Sequence, residues 1–77
     1  MVVPLTKMAA GQSGMVVAVE GGRGFVRRME AMGIRAGLSL TKISGQPFRG
    51  PVSIRVGHTT VALGAGMARR IMVDIPG

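Results

Sequence analysis

One stretch of this chain reads as a helix, and what surrounds it does not. In Gly24-Phe25-Val26-Arg27-Arg28-Met29-Glu30-Ala31-Met32-Gly33-Ile34-Arg35-Ala36-Gly37, the apolar side chains Phe25, Met29 and Met32 recur at i, i+4 and i+7, and Val26 widens the stripe. Arg27, Arg28, Glu30 and Ala31 fall on the other side. Gly33 stands where the helix must end and where left-handed backbone is favoured. Ile34 can then fold back on the last turn, and Gly37 permits a second sharp turn. The pattern predicts a helix over about residues 24–32. On either side of it, glycine and proline break the chain into short β-type runs, so one helix is inserted into an otherwise all-β chain.

Leu5-Thr6 begins a short edge strand, with Pro4 at its start, where a missing N–H is tolerated. Gly11-Gln12-Ser13-Gly14 is a turn by composition. Met15-Val16-Val17-Ala18-Val19 is a strand whose unbroken apolar run predicts cover on both faces, and Gly21-Gly22 ends it. Beyond the helix, residues 38–43 alternate, with Leu38, Leu40 and Lys42 on one parity and Ser39, Thr41 and Ile43 on the other. Gly45-Gln46-Pro47-Phe48-Arg49-Gly50-Pro51 reads as a loop. In Val52-Ser53-Ile54-Arg55-Val56 the valines and isoleucine point in and Ser53 and Arg55 point out. Gly57-His58 turns the chain into residues 59–63, the second arm of a hairpin. Gly64-Ala65-Gly66-Met67-Ala68-Arg69 gives a tight turn with a short helical turn near residues 65–69, and residues 71–73 form a last strand. The fold class is mainly β: five to six short strands and one helix in a single domain over residues 1–77. A small, strongly curved barrel is the economical arrangement, because closure removes sheet edges that so short a chain cannot otherwise protect.

The residue inventory narrows the chemistry. There is no cysteine, so no disulfide and no thiolate metal site can form. Glu20, Glu30 and Asp74 are the only acids and His58 the only histidine. They lie in different elements, whereas general acid–base chemistry needs a positioned pair. Ser13, Ser39, Ser44 and Ser53 lack a His/acid partner set, and no enzymatic activity is expected. Zinc or iron asks for three or four converging ligands, which one chain of this composition does not offer. Met29, Met32, Met67 and Met72 occupy core-like positions and read as gap-fillers rather than copper ligands. Gly64-Ala65-Gly66 lacks the third glycine and the βαβ unit of a dinucleotide site, so no cofactor is expected. No apolar run approaches the ~18 residues of a bilayer span, and residues 1–7 do not form a signal peptide. The expectation is a cytoplasmic protein without membrane insertion.

Ten Lys and Arg against three acids leave a net charge of +7, with a cluster at Arg23, Arg27, Arg28 and Arg35. Such an excess attracts nucleic acid, a phospholipid surface or an acidic protein patch. With no Trp, no Tyr and two Phe, the chain has few platforms for stacking bases and none for an aromatic peptide groove. Attraction to nucleic acid is therefore expected to be weak and indifferent to sequence.

A set of motifs in fixed order carries a resemblance. It comprises Leu5, Gly11, Gly14-Met15-Val16-Val17, Arg28-Met29-Glu30-Ala31-Met32-Gly33-Ile34-Arg35-Ala36-Gly37, Pro47-Phe48-Arg49-Gly50-Pro51, Val61-Ala62-Leu63 and Ala68-Arg69-Arg70-Ile71-Met72-Val73. Across nearly the whole chain this order resembles the FeoA family, small cytosolic accessory proteins of bacterial ferrous-iron uptake. A related domain ends the iron- or manganese-dependent repressors. The resemblance implies an SH3-like β-barrel with a helical insertion. It further implies a non-enzymatic role in contact with the large inner-membrane ferrous-iron permease, whose cytosolic part contains a GTP-binding domain. The alternatives are a basic SH3-like nucleic-acid-binding module and a detached domain like that of the repressors. Met29 and Met32 stand where the family usually has Leu, and Gly64 where an Arg often follows Ala-Leu. Carried over, Gly33 and Gly37 supply backbone freedom, Pro51 fixes a loop exit and Ala68 allows close packing. The expected partner surface is the rim of the helix and the 47–51 loop: Arg27, Arg28, Phe48 and Arg49.

Overall fold

Alternation turns one apolar face of each strand inward, and the sheet curls over that face. The computed structural model describes residues 1–46 and 49–76, with the backbone alone at Gln46 and Arg49. In chain order it has β1 (Val2–Pro4), a 3₁₀ turn (Leu5–Lys7), β2 (Ser13–Val19), α1 (Arg23–Ala31), β3 (Ser39–Gln46), β4 (Arg49–Val56), β5 (Thr59–Leu63), α2 (Ala65–Ala68) and β6 (Ile71–Asp74). The strands form one sheet in the order β1-β6-β2-β3-β4-β5, antiparallel throughout. The short helix α2 packs on both the 3₁₀ turn and β4, which draws the two ends of the sheet around one core. This is the mainly β, SH3-like architecture with one helical insertion. The core contains Leu5, Met8, Val16, Met29, Ile34, Leu40, Val52, Ile54, Leu63, Ala68, Ile71, Val73 and Ile75.

Several local expectations are corrected. The first strand is residues 2–4, and Leu5-Thr6 enters a 3₁₀ turn instead of an edge strand. Pro4 has no N–H with which to continue the ladder, and Leu5 and Thr6 are buried consecutively. A strand, which points successive side chains to opposite faces, cannot do that against one core. Ser13-Gly14 belongs to β2 rather than to a turn, pairing with Thr41 and Leu40. A Cβ on Gly14 would stand 2.6 Å from Val73 Cγ1 and 2.7 Å from the Asp74 carbonyl oxygen, so Gly14 serves close packing of β2 on β6.

The apolar run 15–19 is not covered on both faces, since Met15 is 47% and Val17 44% exposed. A bulge at Val17, between the pairs Val16↔Val73 and Ala18↔Met72, shifts the parity of the strand. Val16 and Val19 both end up against the core, three residues apart, which is why the run lacks alternation. The loop expected over residues 45–51 is largely strand, with Gln46 pairing Arg49. Pro51 therefore lies inside β4 instead of at a loop exit. The register between Ser44↔Ser53 and Gln46↔Arg49 is irregular there, which is where a strand tolerates proline. Met32 is not a core residue. It caps α1 with φ −87° and ψ 0° and is 37% exposed, because the helix ends before the stripe brings it inward.

The end of α1 is a Schellman turn. The Gly33 N–H donates to Glu30 O at 2.9 Å and the Ile34 N–H to Met29 O at 2.8 Å, satisfying carbonyls the helix would otherwise leave open. Ile34 thereby returns to Met29, and both are fully buried. Gly33 has φ +86°, with nothing within 4 Å of a built Cβ. The penalty at this position is one of backbone conformation, not of space. Gly33→Val is expected to cost about 2 kcal/mol, which at about 4–8 °C per kcal/mol for a domain of this size lowers Tm by roughly 10 °C. Gly33→Asn should cost least, since Asn tolerates left-handed backbone. A thermal melt of Gly33→Val superimposable on that of the parent would refute the reading.

Candidate functional site

Helix α1 is two-faced. Met29 is fully buried and Phe25 and Val26 half-buried, whereas Arg23, Arg27, Arg28 and Glu30 are exposed. The amphipathic spacing that gave the helix its core stripe therefore fixes the direction of its charges. Arg35 follows four residues after the helix. Just ahead of β6, Arg70 sets its guanidinium carbon 5.3 Å from the centroid of the Phe25 ring, a cation–π contact that the sequence did not signal. Its carbonyl accepts the Glu20 N–H at 2.7 Å. Among the described residues none of Arg23, Arg27, Arg28, Arg35 and Arg70 is ion-paired to an acid.

Of the four residues expected to form a partner surface, Arg27 and Arg28 are consecutive exposed positions on α1. Phe48 and the side chain of Arg49 fall outside the described residues. Gly37 has φ +92°, and its N–H donates to Val16 O at 2.7 Å, so the second turn after α1 is fastened to β2. Ala68 is fully buried in α2.

Lys42, one of the chain's ten basic residues, is not a surface charge. It lies on the inward parity of β3, paired with Ile54, and is fully buried. Its Nζ donates to Met8 O at 2.6 Å and to Thr6 O at 3.3 Å. Its own N–H donates to Gln12 O at 2.9 Å, and its carbonyl accepts the Gly11 N–H at 2.7 Å. Among the described residues no buried side-chain nitrogen or oxygen lacks a partner. Burial nevertheless pulls the ammonium below the ordinary lysine value, because two carbonyl dipoles replace only part of the water lost.

The grooves are shallow. A cleft of about 360 Å³ is lined by Pro4, Thr6, Ala65 and Arg69 between the 3₁₀ turn and α2. A second, of about 430 Å³, runs past Ser13, Met15, Asp74 and Pro76. A third, of about 250 Å³, lies by Ser13, Ser39, Thr41 and Arg55. Among the described residues no three His, Cys, Asp or Glu come together, and His58 is exposed in the β4–β5 turn. No described helix is long and apolar enough to cross a membrane.

Comparison with known proteins gives consistent results. Residues 3–75 match the model of the FeoA domain. A protein of Methanocaldococcus jannaschii named "Putative Fe(2+) transport protein A" is 35% identical over 71 residues, covering 92% of this chain and 84% of that protein. The crystal structure of an iron uptake regulatory protein, FeoA, superposes with a TM-score of 0.87 at 38% identity, covering 95% of this chain and 96% of that one. A manganese-dependent transcriptional repressor also superposes with a TM-score of 0.87, at 24% identity, over 97% of this chain and 42% of its own. At that identity the likeness is one of fold.

Two measurements follow from this geometry. Unfolded, Lys42 keeps its proton up to about pH 10.4; folded, it releases the proton earlier. Between those two values the unfolded chain binds more protons, so stability rises with pH. Below the folded value both states are protonated, and above the unfolded value both are neutral, so the slope vanishes outside the window. Denaturant melts should show this alkaline rise in the parent and its loss in Lys42→Met; an unchanged slope in the variant would assign the effect elsewhere. Separately, anaerobic titration of the monomer with Fe²⁺ is expected to show no stoichiometric binding tighter than about 1 μM, about −8 kcal/mol. A tight one-to-one isotherm would overturn that.

Proposed function

Because this chain belongs to the FeoA family, we propose that it is a non-enzymatic, cytoplasmic accessory protein of ferrous-iron uptake. It acts by protein contact with the inner-membrane ferrous-iron permease and its GTP-binding domain. The observation that carries the reading is the whole-chain match, in sequence and in fold, to an iron uptake regulatory protein. Ferrous iron is the cargo of the system, not a resident cofactor of this chain. The contact rests on the exposed side of α1 at Arg27 and Arg28 together with Phe48 and Arg49. Apolar contact from Phe48 anchors it, and the arginines orient it.

The competing reading is a basic nucleic-acid-binding module, which the charge alone favours. The two differ in their response to salt. Counterion release makes phosphate binding fall steeply as salt rises, whereas an interface with an apolar anchor is held much more weakly by ions. In one salt series on the detergent-solubilised permease and on RNA, we expect nucleic-acid binding to vanish by about 0.3 M while permease capture persists. Phe48→Ala should weaken capture at least about fivefold, more than about 1 kcal/mol. Retention of nucleic acid at high salt with no capture of the permease would replace this proposal with the alternative.

A further inference from the structure

We propose that the outward face of α1 docks on a lipid leaflet rich in anionic phospholipid. The inference shares Arg27 and Arg28 with the proposed permease contact, but its partner is the bilayer and not a protein, and it stands or falls on a separate measurement. Five of the chain's ten cations, Arg23, Arg27, Arg28, Arg35 and Arg70, lie on or beside this nine-residue helix. The acids nearest to them in sequence are Glu20, Glu30 and, for Arg70, Asp74, which is paired with the N-terminal ammonium. None of the five arginines is ion-paired among the described residues; Arg70 stacks on Phe25, and the other four have no acid to neutralise them. A guanidinium with free donors matches a phosphate oxygen pair.

The shape of the face selects the partner. At 100° per residue, Gly24, Arg27 and Ala31 project most directly away from buried Met29, with Arg23, Arg28 and the single acid Glu30 flanking them. Gly24 and Ala31 carry almost no side chain, so the arginines stand clear of a low, convex ridge. The three clefts described above are lined by no residue of α1. A ligand that needs a pocket finds none in them, whereas a plane of headgroups needs only a convex cationic face. Nucleic acid fits less well, since the one aromatic side chain of the helix, Phe25, is half-buried and already covered by Arg70 and offers no free ring for a base. A single basic face of this size gives reversible attachment, not anchoring.

The test is co-sedimentation of the intact chain with vesicles of phosphatidylcholine, alone or with roughly 30% phosphatidylglycerol, across a salt series. We expect binding to the anionic vesicles alone, falling as salt rises past about 0.15 M. Arg27→Glu should lower the partition at least about fivefold, the equivalent of about 1 kcal/mol per arginine near the surface. Arg27→Gln with Arg28→Gln should act in the same direction. Arg55→Glu on β4 makes the same change in net charge away from the helix and should cost less than about twofold. The proposal is overturned by absence of binding at low salt, or by equal loss in Arg55→Glu, which would reduce the effect to bulk charge. It is also overturned by tighter binding of RNA than of vesicles at about 0.15 M salt, which would reassign the face to nucleic acid. Capture of the permease in detergent, without a bilayer, reads the other proposal separately.

Discussion

The Lys42 ammonium holds the returning N-terminal segment against the sheet, and the core on that side depends on its grip. Between β1 and β2 the chain runs through a 3₁₀ turn and a stretch without regular structure, yet Leu5, Thr6 and Met8 are buried. Buried main-chain groups need partners, and no strand ladder reaches them here. Lys42 supplies the partners from a single position, with its side chain on Thr6 O and Met8 O and its main chain on Gly11 and Gln12. A methionine would fill the same space but leave two carbonyls without donors, at about 1–3 kcal/mol each if they stayed buried. The cost is a desolvated charge, and the depressed pKa of the lysine is its signature.

The remaining fit comes from departures from regular strand geometry. A flat six-stranded sheet cannot enclose a core this small, and bulges add the local bend and twist. The extra residue at Val17 on β2 and the irregular register of β3 with β4 fall within the middle of the sheet order. The bulges at Val17 and at Ile43 each leave an apolar side chain outside, and both residues are exposed. Gly14 does the complementary job, removing a side chain where β2 must lie against Val73.

This explains what the sequence made legible. The helix, the Gly33 exit, the β4–β5 hairpin and the mainly β class follow from local periodicity and turn chemistry, and the structure has them. The bulge at Val17 was not legible, because a register shift is a property of two strands and only one is visible in a run of valines. Lys42 was half-legible. Its parity placed it inside with Leu40, while its charge argued for the surface. What decides the matter is a pair of carbonyls more than thirty residues away in sequence. Leu5-Thr6 misled because Pro4 reads as the start of an edge strand, whereas the ladder with β6 ends there. At the candidate surface, exposure of Arg27 and Arg28 follows from the same stripe that buries Met29. The stacking of Arg70 on Phe25 joins residues 45 apart and carried no local sign.

Helix α1 is better suited to contact than to its own stability. Nine residues are marginal as an isolated helix. Arg23 and Arg27 repel one turn apart, positive charge in the first turn opposes the helix dipole, and the N-cap, Gly22, offers no side-chain acceptor. Each is worth a few tenths of a kcal/mol against the helix. What holds it is packing through Met29 and Ile34, together with the hydrogen bonds that tie residues 37 and 38 to Val16. An acid at position 23 or 27 would improve the helix locally, so helix stability alone does not account for arginine at these positions. Because the anchor lies on the buried side and at the C-terminal turn, the outward charges ride on a fixed base. Whatever surface meets them meets a fixed backbone, and what is left to order on binding is the arginine side chains themselves.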